Sequence, residues 1–338
     1  MKSKVLPGEQ VAWGTTERHE QRVPLAFAFW RPYGLYCRLI FCSVGGERLQ
    51  AAAAESFREG PMLKATYLCA RCLVDQAAHA VELSVTDPAE RLSIMRGVLG
   101  VLAASFPHQV PAVIGTRLHR YVKSRTGTDP YKTLKEKSNQ VAAEAARAWN
   151  GRGLSLREAA LAAVAGNAID FGVDGSRNVL DTLSAELGKE LHVDHFDRFA
   201  SAVADARRIL YLTDNCGEIV FDYFLIENLV AMGKTVVVSP KETPILNDAT
   251  VADLTALGFD AMTSIVPHVK DAIGLPLNEA TDPFLKEWKT ADLVIAKGMG
   301  HYETLQGTEK NVVHLLKAKC VPVAESLGVP VGAHVLTF

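Results

Sequence analysis

The sequence has few cysteines, little net charge and no long apolar run, and each shortage excludes a class of protein. Six cysteines in 338 residues are too few for a disulfide scaffold, so a reduced, cytoplasmic setting is expected. The formal net charge is -2, from 36 basic and 38 acidic residues, which gives no electrostatic case for a nucleic-acid partner. No apolar run is long enough to span a bilayer or to form the unbroken core of a secretion signal.

Two motifs of nucleotide and phosphate chemistry are also absent. The chain has no G-x-G-x-x-G fingerprint, which disfavours a dinucleotide-binding protein. No D-x-D motif follows any candidate strand, which disfavours a phosphatase of the haloacid-dehalogenase type. What remains is an ordinary globular protein with 48% hydrophobic and 22% charged residues.

The sequence divides into three parts by the periodicity of its apolar residues. Residues 1–61 show no sustained period, and we expect a poorly ordered or non-family extension. Residues 62–205 have helical periodicity nearly throughout, and residues 206–338 alternate short apolar runs with helical segments. This pattern predicts an α/β protein, with a helical N-terminal domain and a Rossmann-like, mainly parallel α/β C-terminal domain. One predicted apolar helix face consists of Leu92, Met95, Leu99 and Leu102. The candidate strands are Ile209–Leu212, Thr235–Val238, Ala261–Ile265, Leu293–Ala296 and Val312–Leu316.

Polar side chains follow three of these strands. They are Asp214 and Asn215 after the first, Asp248 after the second, and Lys297, Gly298 and Gly300 after another. Because the carboxyl ends of parallel strands share one edge of a sheet, we expect these groups to converge. Carboxylate and amide oxygens suit Mg²⁺ or Mn²⁺. A lysine beside two glycines can neutralise a phosphoryl group that backbone N–H groups also approach.

Each of these residues also has a purely structural interpretation. Asp214 or Asp248 could cap the helix that follows, and Lys297 could be a solvated strand end. Asn167 and Asp170 are polar residues in an apolar helical stretch. They either face the metal site or a substrate, or cap the end of their helix.

Cys69 and Cys72 form a lone C-x-x-C within a predicted helix. Positions i and i+3 share one helix face, so either half of a metal site or two small core residues is open. No second pair supplies the other zinc ligands, and a thioredoxin-type motif should follow a strand. Lys135, Lys137 and Asn139, on another predicted helix, could form a solvated face, which is the usual meaning of charged residues there.

From about residue 62 onward the chain resembles the DUF89 family, the ARMT1-like damage-control phosphatases, and within it the prokaryotic subgroup that carries C-x-x-C. The segments that carry the resemblance include Cys69-Ala-Arg-Cys72, Gly166-Asn167-Ala-Ile-Asp170, Asp214-Asn215-Cys216-Gly217-Glu218, Asn247-Asp248-Ala-Thr250 and Lys297-Gly298-Met-Gly300-His301-Tyr302-Glu303. The resemblance implies a helical domain joined to a Rossmann-like domain, with the active site between them. It also implies a phosphatase that uses Mn²⁺, Mg²⁺, Co²⁺ or Ni²⁺ and hydrolyses small phosphorylated metabolites such as sugar phosphates.

The resemblance also assigns roles to individual residues. The metal ligands map onto Asp214, Asn215 and Asp248, and the phosphate-binding lysine maps onto Lys297. The other predicted substrate contacts are Gly298, Gly300, Asn167 and Glu303, and the candidate auxiliary residues are Cys69 and Cys72. Independently of the resemblance, we take Glu218 or Asp170 as the candidate base. A phospho-aspartyl route through Asp214 is a second mechanism, less attractive if that carboxylate binds the metal.

Two residues depart from the family pattern, and two other functions stay open. Cys216 replaces a small alanine-like residue, and His301 replaces an asparagine, which could change substrate polarity or pH dependence. One alternative function is a non-catalytic sensor of phosphorylated metabolites or nucleotides. The other is an S-adenosylmethionine-dependent methyltransferase, although the loop after the first strand is not rich in glycine.

Overall fold

The structure is a computed structural model that describes residues 63–147, 149, 152–169, 182 and 185–338. The expected extension at residues 1–61 and the candidate base Asp170 lie outside these residues. All described residues belong to one compact unit. Among them, no helix is both long enough and apolar enough to cross a membrane.

The N-terminal part is helical, as predicted. Its helices are α1 (Tyr67–Ser84), α2 (Pro88–Ser105), α3 (Pro111–Thr126), α4 (Lys132–Ala146) and α5 (Leu156–Asn167). Local sequence sets where they begin. The Asp87 carboxylate accepts a hydrogen bond from the backbone N–H of Glu90 at the start of α2, and Ser155 forms a capping box with Glu158 at the start of α5.

The packed face of α2 matches the predicted one only in part, since Met95 and Leu102 pack against the core whereas Leu92 and Leu99 do not. Leu92 is 66% exposed and Leu99 is 51% exposed, whereas Ile94 and Val98 have no exposed surface. The exposed pair and the buried pair both have helical spacing, because α2 carries apolar residues on more than one side. The periodicity of α2 therefore cannot show which side packs against the rest of the protein. Packing against α1 and α3 selects it, and buries Ile94 and Val98 with Leu118 in one core.

The C-terminal part contains a seven-stranded sheet. Its strands are β1 (Leu191–Asp194), β2 (Arg208–Leu212), β3 (Thr235–Ser239), β4 (Ser264–Ile265), β5 (Leu293–Lys297), β6 (Val312–Lys317) and β7 (His334–Thr337). The order is β1-β7-β6-β5-β2-β3-β4, and every pair is parallel except β6 with β7. The prediction of a mixed α/β fold with a mainly parallel sheet is confirmed.

Three details of the sheet differ from the prediction. The strand expected at Ala261–Ile265 is shorter, because Phe259–Ala261 form a 3₁₀ turn and only Ser264–Ile265 pair with β3. Strands β1 and β7 were not predicted. Because β1 pairs with β7, residues before position 206 contribute to the sheet. The domain boundary at 205/206 stays a prediction.

Helices cover both faces of the sheet. They are α6 (Phe196–Asp205), α7 (Glu218–Ala231), α8 (Val251–Ala256), α9 (Asp282–Thr290), α10 (Gly298–Thr304) and α11 (Val321–Leu327). Ile209 and Tyr211 of β2 pack into the core that contains α5 and α7. Leu210 and Leu212 face the other core, which contains α9. A strand buried on both faces reads as a continuous apolar run, which is why β2 was visible in the sequence.

The two faces of α2 provide a test of the packing. Ile94→Ala is expected to lower the free energy of unfolding by about 2–4 kcal/mol, since it removes a fully buried side chain. Leu92→Ala, two residues away, should cost less than about 1 kcal/mol because Leu92 is largely exposed. Chemical denaturation of both variants measures the difference. Equal losses would contradict the packing described above.

Candidate active site

The turn after β2 carries the first candidate ligands. Gly217 has a φ of 82° and ends the turn, and α7 begins at the next residue. The Gly217 N–H donates to Asn139 Oδ1 on α4 at 2.6 Å. The backbone N–H of Cys216 donates to the carbonyl of Asn247 at 2.9 Å. The turn that holds Asp214 is therefore fixed from both the helical part and the Asp248 segment.

The structure brings Asp214, Asn215 and Asp248 together. Asn215 and Asp248 form an antiparallel bridge, and the N–H of Ala249 donates to the Asp214 carbonyl at 2.8 Å. Burial, followed by the charges of Glu218 and Asp248, raises the pKa of Asp214 well above its usual value. Asp248 Oδ2 is buried and has no hydrogen-bond partner within normal geometry, although Lys241 Nζ forms an ion pair with it at 3.5 Å. The two carboxyl groups are thus close enough to affect each other and are only partly compensated.

Two amide side chains connect Asp214 to Glu218. Asn215 Nδ2 donates to Asp214 Oδ2 at 2.8 Å and to Glu218 Oε2 at 3.1 Å. Asn167 Nδ2 donates to the same two oxygens, at 3.1 and 2.8 Å. Asn167 Oδ1 accepts from the N–H of Lys317 at 3.1 Å. Asn167 therefore lies in the Asp214 cluster. The amide oxygen of Asn215 is the atom through which that side chain could bind a cation.

Lys297 lies with no exposed surface at the end of β5. Its Nζ donates to Glu218 Oε1 and Asp222 Oδ1, both at 2.5 Å, and to the Ala163 carbonyl at 2.9 Å. Burial opposes its charge, but Asp222 and Glu218 outweigh burial and raise the pKa of Lys297. A lysine has three N–H donors, and all three are used here. A contact between Lys297 and a phosphoryl group would require the release of one of them.

The two glycines after Lys297 have different surroundings. Gly298 has a φ of 75° and opens α10, and a Cβ there would lie 1.9 Å from Asp214 Oδ2. Only glycine lets the backbone approach this carboxylate so closely. A Cβ on Gly300 would instead meet Ile273 at 3.0 Å and Gly274 at 3.1 Å. Gly298 is thus part of the Asp214 cluster, whereas Gly300 packs on the neighbouring loop.

Lys241 is a buried residue of the site that was not predicted. Its Nζ lies 2.6 Å from the Gly274 carbonyl, 2.8 Å from His268 Nε2 and 3.5 Å from Asp248 Oδ2. Burial raises the pKa of Asp248 to about 6, with Lys241 as the main opposing influence. The sequence signal was its place two residues after the end of β3, in Ser239-Pro240-Lys241.

Two expectations about single side chains change with the structure. His301 is fully buried, with Nδ1 at 2.7 Å from the Lys297 carbonyl and Nε2 at 3.2 Å from His268 Nε2. It therefore contacts the interior and not an exposed substrate surface. The interpretation of Lys135 as part of a solvated face is wrong, because Lys135 is buried and forms a 2.9 Å ion pair with Asp129.

Glu303, Cys69 and Cys72 lie in a different place from the Asp214 cluster. All three line a cavity of about 250 Å³, together with Gly300 and Cys320. Glu303 is buried and accepts a hydrogen bond from the N–H of Ala112 at 2.9 Å. Asp214 and Asp248 do not line this cavity. The predicted substrate contacts thus fall into two groups.

The charges of the Asp214 cluster fit a divalent cation. Its charged members are the four carboxylates and two ammonium groups of Asp214, Glu218, Asp222, Asp248, Lys241 and Lys297. If all are ionised, the carboxylates outnumber the ammonium groups by two, and the charge of Lys319, which also acts on Asp214, offsets part of this surplus. The cluster therefore keeps a net negative charge that a cation can balance. In the described ranges no group of three or more His, Cys, Asp or Glu side chains is placed so that it could hold a metal ion. The predicted set has two carboxylates and one amide, and its oxygen donors suit a hard cation.

The fold and this site define a class of protein, one with an acidic cluster at the carboxyl edge of a mainly parallel α/β sheet. Residues 65–335 match the Damage-control phosphatase ARMT1-like domain. The chain therefore belongs to the ARMT1-like damage-control phosphatase family. This membership supports a phosphatase role. The narrower assignment to the C-x-x-C subgroup stays a prediction.

Several archaeal proteins are similar over most of the chain. The damage-control phosphatase PH1575 of Pyrococcus horikoshii is 33% identical over 279 residues, which cover 81% of this chain and 97% of that protein. A damage-control phosphatase of Archaeoglobus fulgidus is 32% identical over 283 residues, covering 80% and 97%. MJ0202 of Methanocaldococcus jannaschii is 37% identical over 292 residues, covering 82% and 96%. The crystal structure of PH1575, described as a DUF89 family protein, has a TM-score of 0.77 and covers 81% of this chain and 98% of its own.

Gly298→Ala tests the close approach to Asp214. The added Cβ would overlap Asp214 Oδ2, so we expect weaker binding of Mn²⁺ as well as lower stability. Gly233→Ala is the matched control, because Gly233 has a φ of 78° but no atom within 4 Å of its Cβ position. The control should lose only about 1–2 kcal/mol of stability, the cost of the left-handed backbone, and should keep its affinity for Mn²⁺. Equal affinity in both variants, measured by calorimetry, would contradict this geometry.

Proposed function

We propose that the chain is a divalent-metal-dependent phosphatase that hydrolyses small phosphomonoesters of the sugar-phosphate type. The observation that carries the proposal is the juxtaposition of Asp214, Asn215 and Asp248, which come from two different strand ends. Two features support a bound cation: the negative surplus of the cluster, and the buried Asp248 Oδ2, which has no hydrogen bond apart from its 3.5 Å ion pair with Lys241. Family membership supports the phosphatase chemistry.

Asp214, Asn215 and Asp248 are the residues that would hold the cation, which could be Mn²⁺, Mg²⁺, Co²⁺ or Ni²⁺. When bound, such an ion polarises phosphoryl oxygens and favours ionisation of a coordinated water. The remaining chemistry belongs to the protein. Lys241 lies 3.5 Å from Asp248 Oδ2 and offsets part of the negative charge in the ligand set. Gly298 leaves the space that Asp214 needs.

The contacts of Glu218 support a positioning role. Its Oε1 accepts from Lys297, and its Oε2 accepts from Asn167 and Asn215. A carboxylate with both oxygens engaged holds its neighbours in place, and must give up a hydrogen bond before it can take a proton. We propose that Glu218 and Lys297 together orient Asn215 as a ligand. The identity of the base, Glu218 or Asp170, stays a prediction.

The activity is tested with isosteric variants of the two carboxylates. Asp214→Asn and Asp248→Asn should each lower metal-dependent hydrolysis of p-nitrophenyl phosphate by at least about 100-fold, since each removes a charged ligand. Asp260→Asn is the control, because Asp260 is exposed in the 3₁₀ turn after α8, and it should keep the activity of the unaltered protein. The assay measures released phosphate with each of the four ions, and is followed by a panel of sugar phosphates.

The outcomes separate the proposal from its alternatives. Full activity in either carboxylate variant would remove the proposed ligand set. Binding of phosphorylated metabolites without hydrolysis under any of the four ions would favour a sensor. Calorimetric binding of S-adenosylmethionine would favour a methyltransferase.

A further inference from the structure

The cavity of about 250 Å³ lies between the helical part of the chain and the loops of the α/β part. Leu73 comes from α1 and Gly115 from α3, whereas Ile273 and Met299 follow β4 and β5. The lining is mainly apolar, and none of the described residues in it is Lys, Arg or His. In another protein, an apolar cavity of about 150 Å³ holds one benzene molecule. This cavity therefore has room for a ring of that size with a short polar arm.

Glu303 is the only carboxylate among the described residues that line this cavity. Its side chain belongs to a residue that is only 8% exposed. The N–H of Ala112 donates to Glu303 Oε2 at 2.9 Å, and no other described residue donates to the carboxylate or forms an ion pair with it. Buried carboxylates normally have a cation or several donors as partners. The second oxygen, Oε1, lacks such a partner in a largely apolar space.

Capping of α3 explains part of this arrangement. Val110, the residue before α3, provides no side-chain cap, and Glu303 Oε2 supplies the missing acceptor for the N–H of Ala112. The neutral amide oxygen of a glutamine could accept the same hydrogen bond. The cap therefore accounts for one oxygen of Glu303, and leaves its charge and its second oxygen unexplained.

The electrostatics of the cavity favour a positively charged occupant. Burial raises the pKa of Glu303 to about 7, and the hydrogen bond from Ala112 opposes burial only in part. Burial also raises the pKa of Cys72 and brings that of Cys320 to about 11, and the charge of Glu303 adds to both shifts. A cation beside Glu303 would favour the ionised carboxylate. A neutral apolar molecule would fill the space but leave Glu303 Oε1 without a partner.

We propose that this cavity binds a small organic cation, in which a primary ammonium group that contacts Glu303 is joined to an apolar body about the size of a benzene ring. The ammonium group would donate to Glu303 Oε1, and the apolar body would contact side chains such as Leu73 and Ile273. Hydrogen bonds between two charged groups are stronger than those between neutral groups. The ligand can enter beside Cys72, which is exposed.

Benzylamine and benzyl alcohol provide the test, because they share a ring and differ in the charged group. The full chain, freed of divalent metal, is titrated with each compound by calorimetry at about pH 8, where Glu303 is mainly ionised and benzylamine is a cation. We expect benzylamine to bind at one site per chain, at least about 10-fold more tightly than benzyl alcohol. Glu303→Gln keeps an acceptor for Ala112 but removes the charge, and should bring the two affinities within about threefold of each other.

Two control variants make the assignment specific. Glu136→Gln removes an exposed carboxylate of α4 outside the cavity and should keep the preference for benzylamine. Asp214→Asn should keep it too, since the Asp214 cluster also carries negative charge but does not line the cavity. The titrations report on the cavity whether or not the chain hydrolyses phosphate. Circular dichroism confirms that each variant is folded, and the comparison of the two compounds in the unaltered chain needs no variant.

Three results would overturn the proposal. One is the absence of benzylamine binding by the folded, unaltered chain. Another is binding of benzyl alcohol as tight as that of benzylamine, which would make the cavity a site for neutral apolar molecules. The third is a preference for benzylamine that persists in Glu303→Gln or disappears in Asp214→Asn, which would place the amine outside the cavity.

Discussion

The ammonium group of Lys297 is fully buried between two carboxylates, and it joins the parts of the chain that carry the candidate site. It ends β5, and it donates to Ala163 of α5 and to Glu218 and Asp222 of α7. Removing one partner of a buried ion pair usually costs about 3–5 kcal/mol, because the other charge is left without compensation. Since Asn215 Nδ2 donates to Glu218 Oε2 at 3.1 Å, the proposed role of Asn215 as a metal ligand depends on this pair.

Much of the fold and part of the site could be predicted from the sequence. Strand β2 is buried on both faces and reads as an apolar run, so its end was visible, and the polar residues that follow it stood out. The rule that parallel strands end at one edge then brought Asp214 and Asp248 together in the prediction, as the structure does. Strands β1 and β7 were missed because each has only four residues, with polar ones such as His192 and Thr337 among them.

The partners of the charged residues could not be predicted, because they depend on contacts between distant segments. The sequence shows Lys297 after an apolar strand, which suits either a phosphate contact or a buried ion pair. Its pairing with Asp222 depends on how α7 packs across the sheet. The same holds for Lys241, whose neighbours come from the loops that follow β3 and β4. Their charge and their positions near strand ends could be read from the sequence, but the residues that they contact depend on tertiary packing.

The central claim is that the surplus negative charge at this edge of the sheet holds a divalent cation. Anomalous diffraction from crystals grown with Mn²⁺ tests it most directly, because the signal locates the ion independently of activity. We predict one peak within bonding distance of oxygen atoms from Asp214, Asn215 and Asp248. A refined structure in which the carboxyl groups of Asp214 and Asp248 point away from each other, with Mn²⁺ bound elsewhere or not at all, would contradict the account.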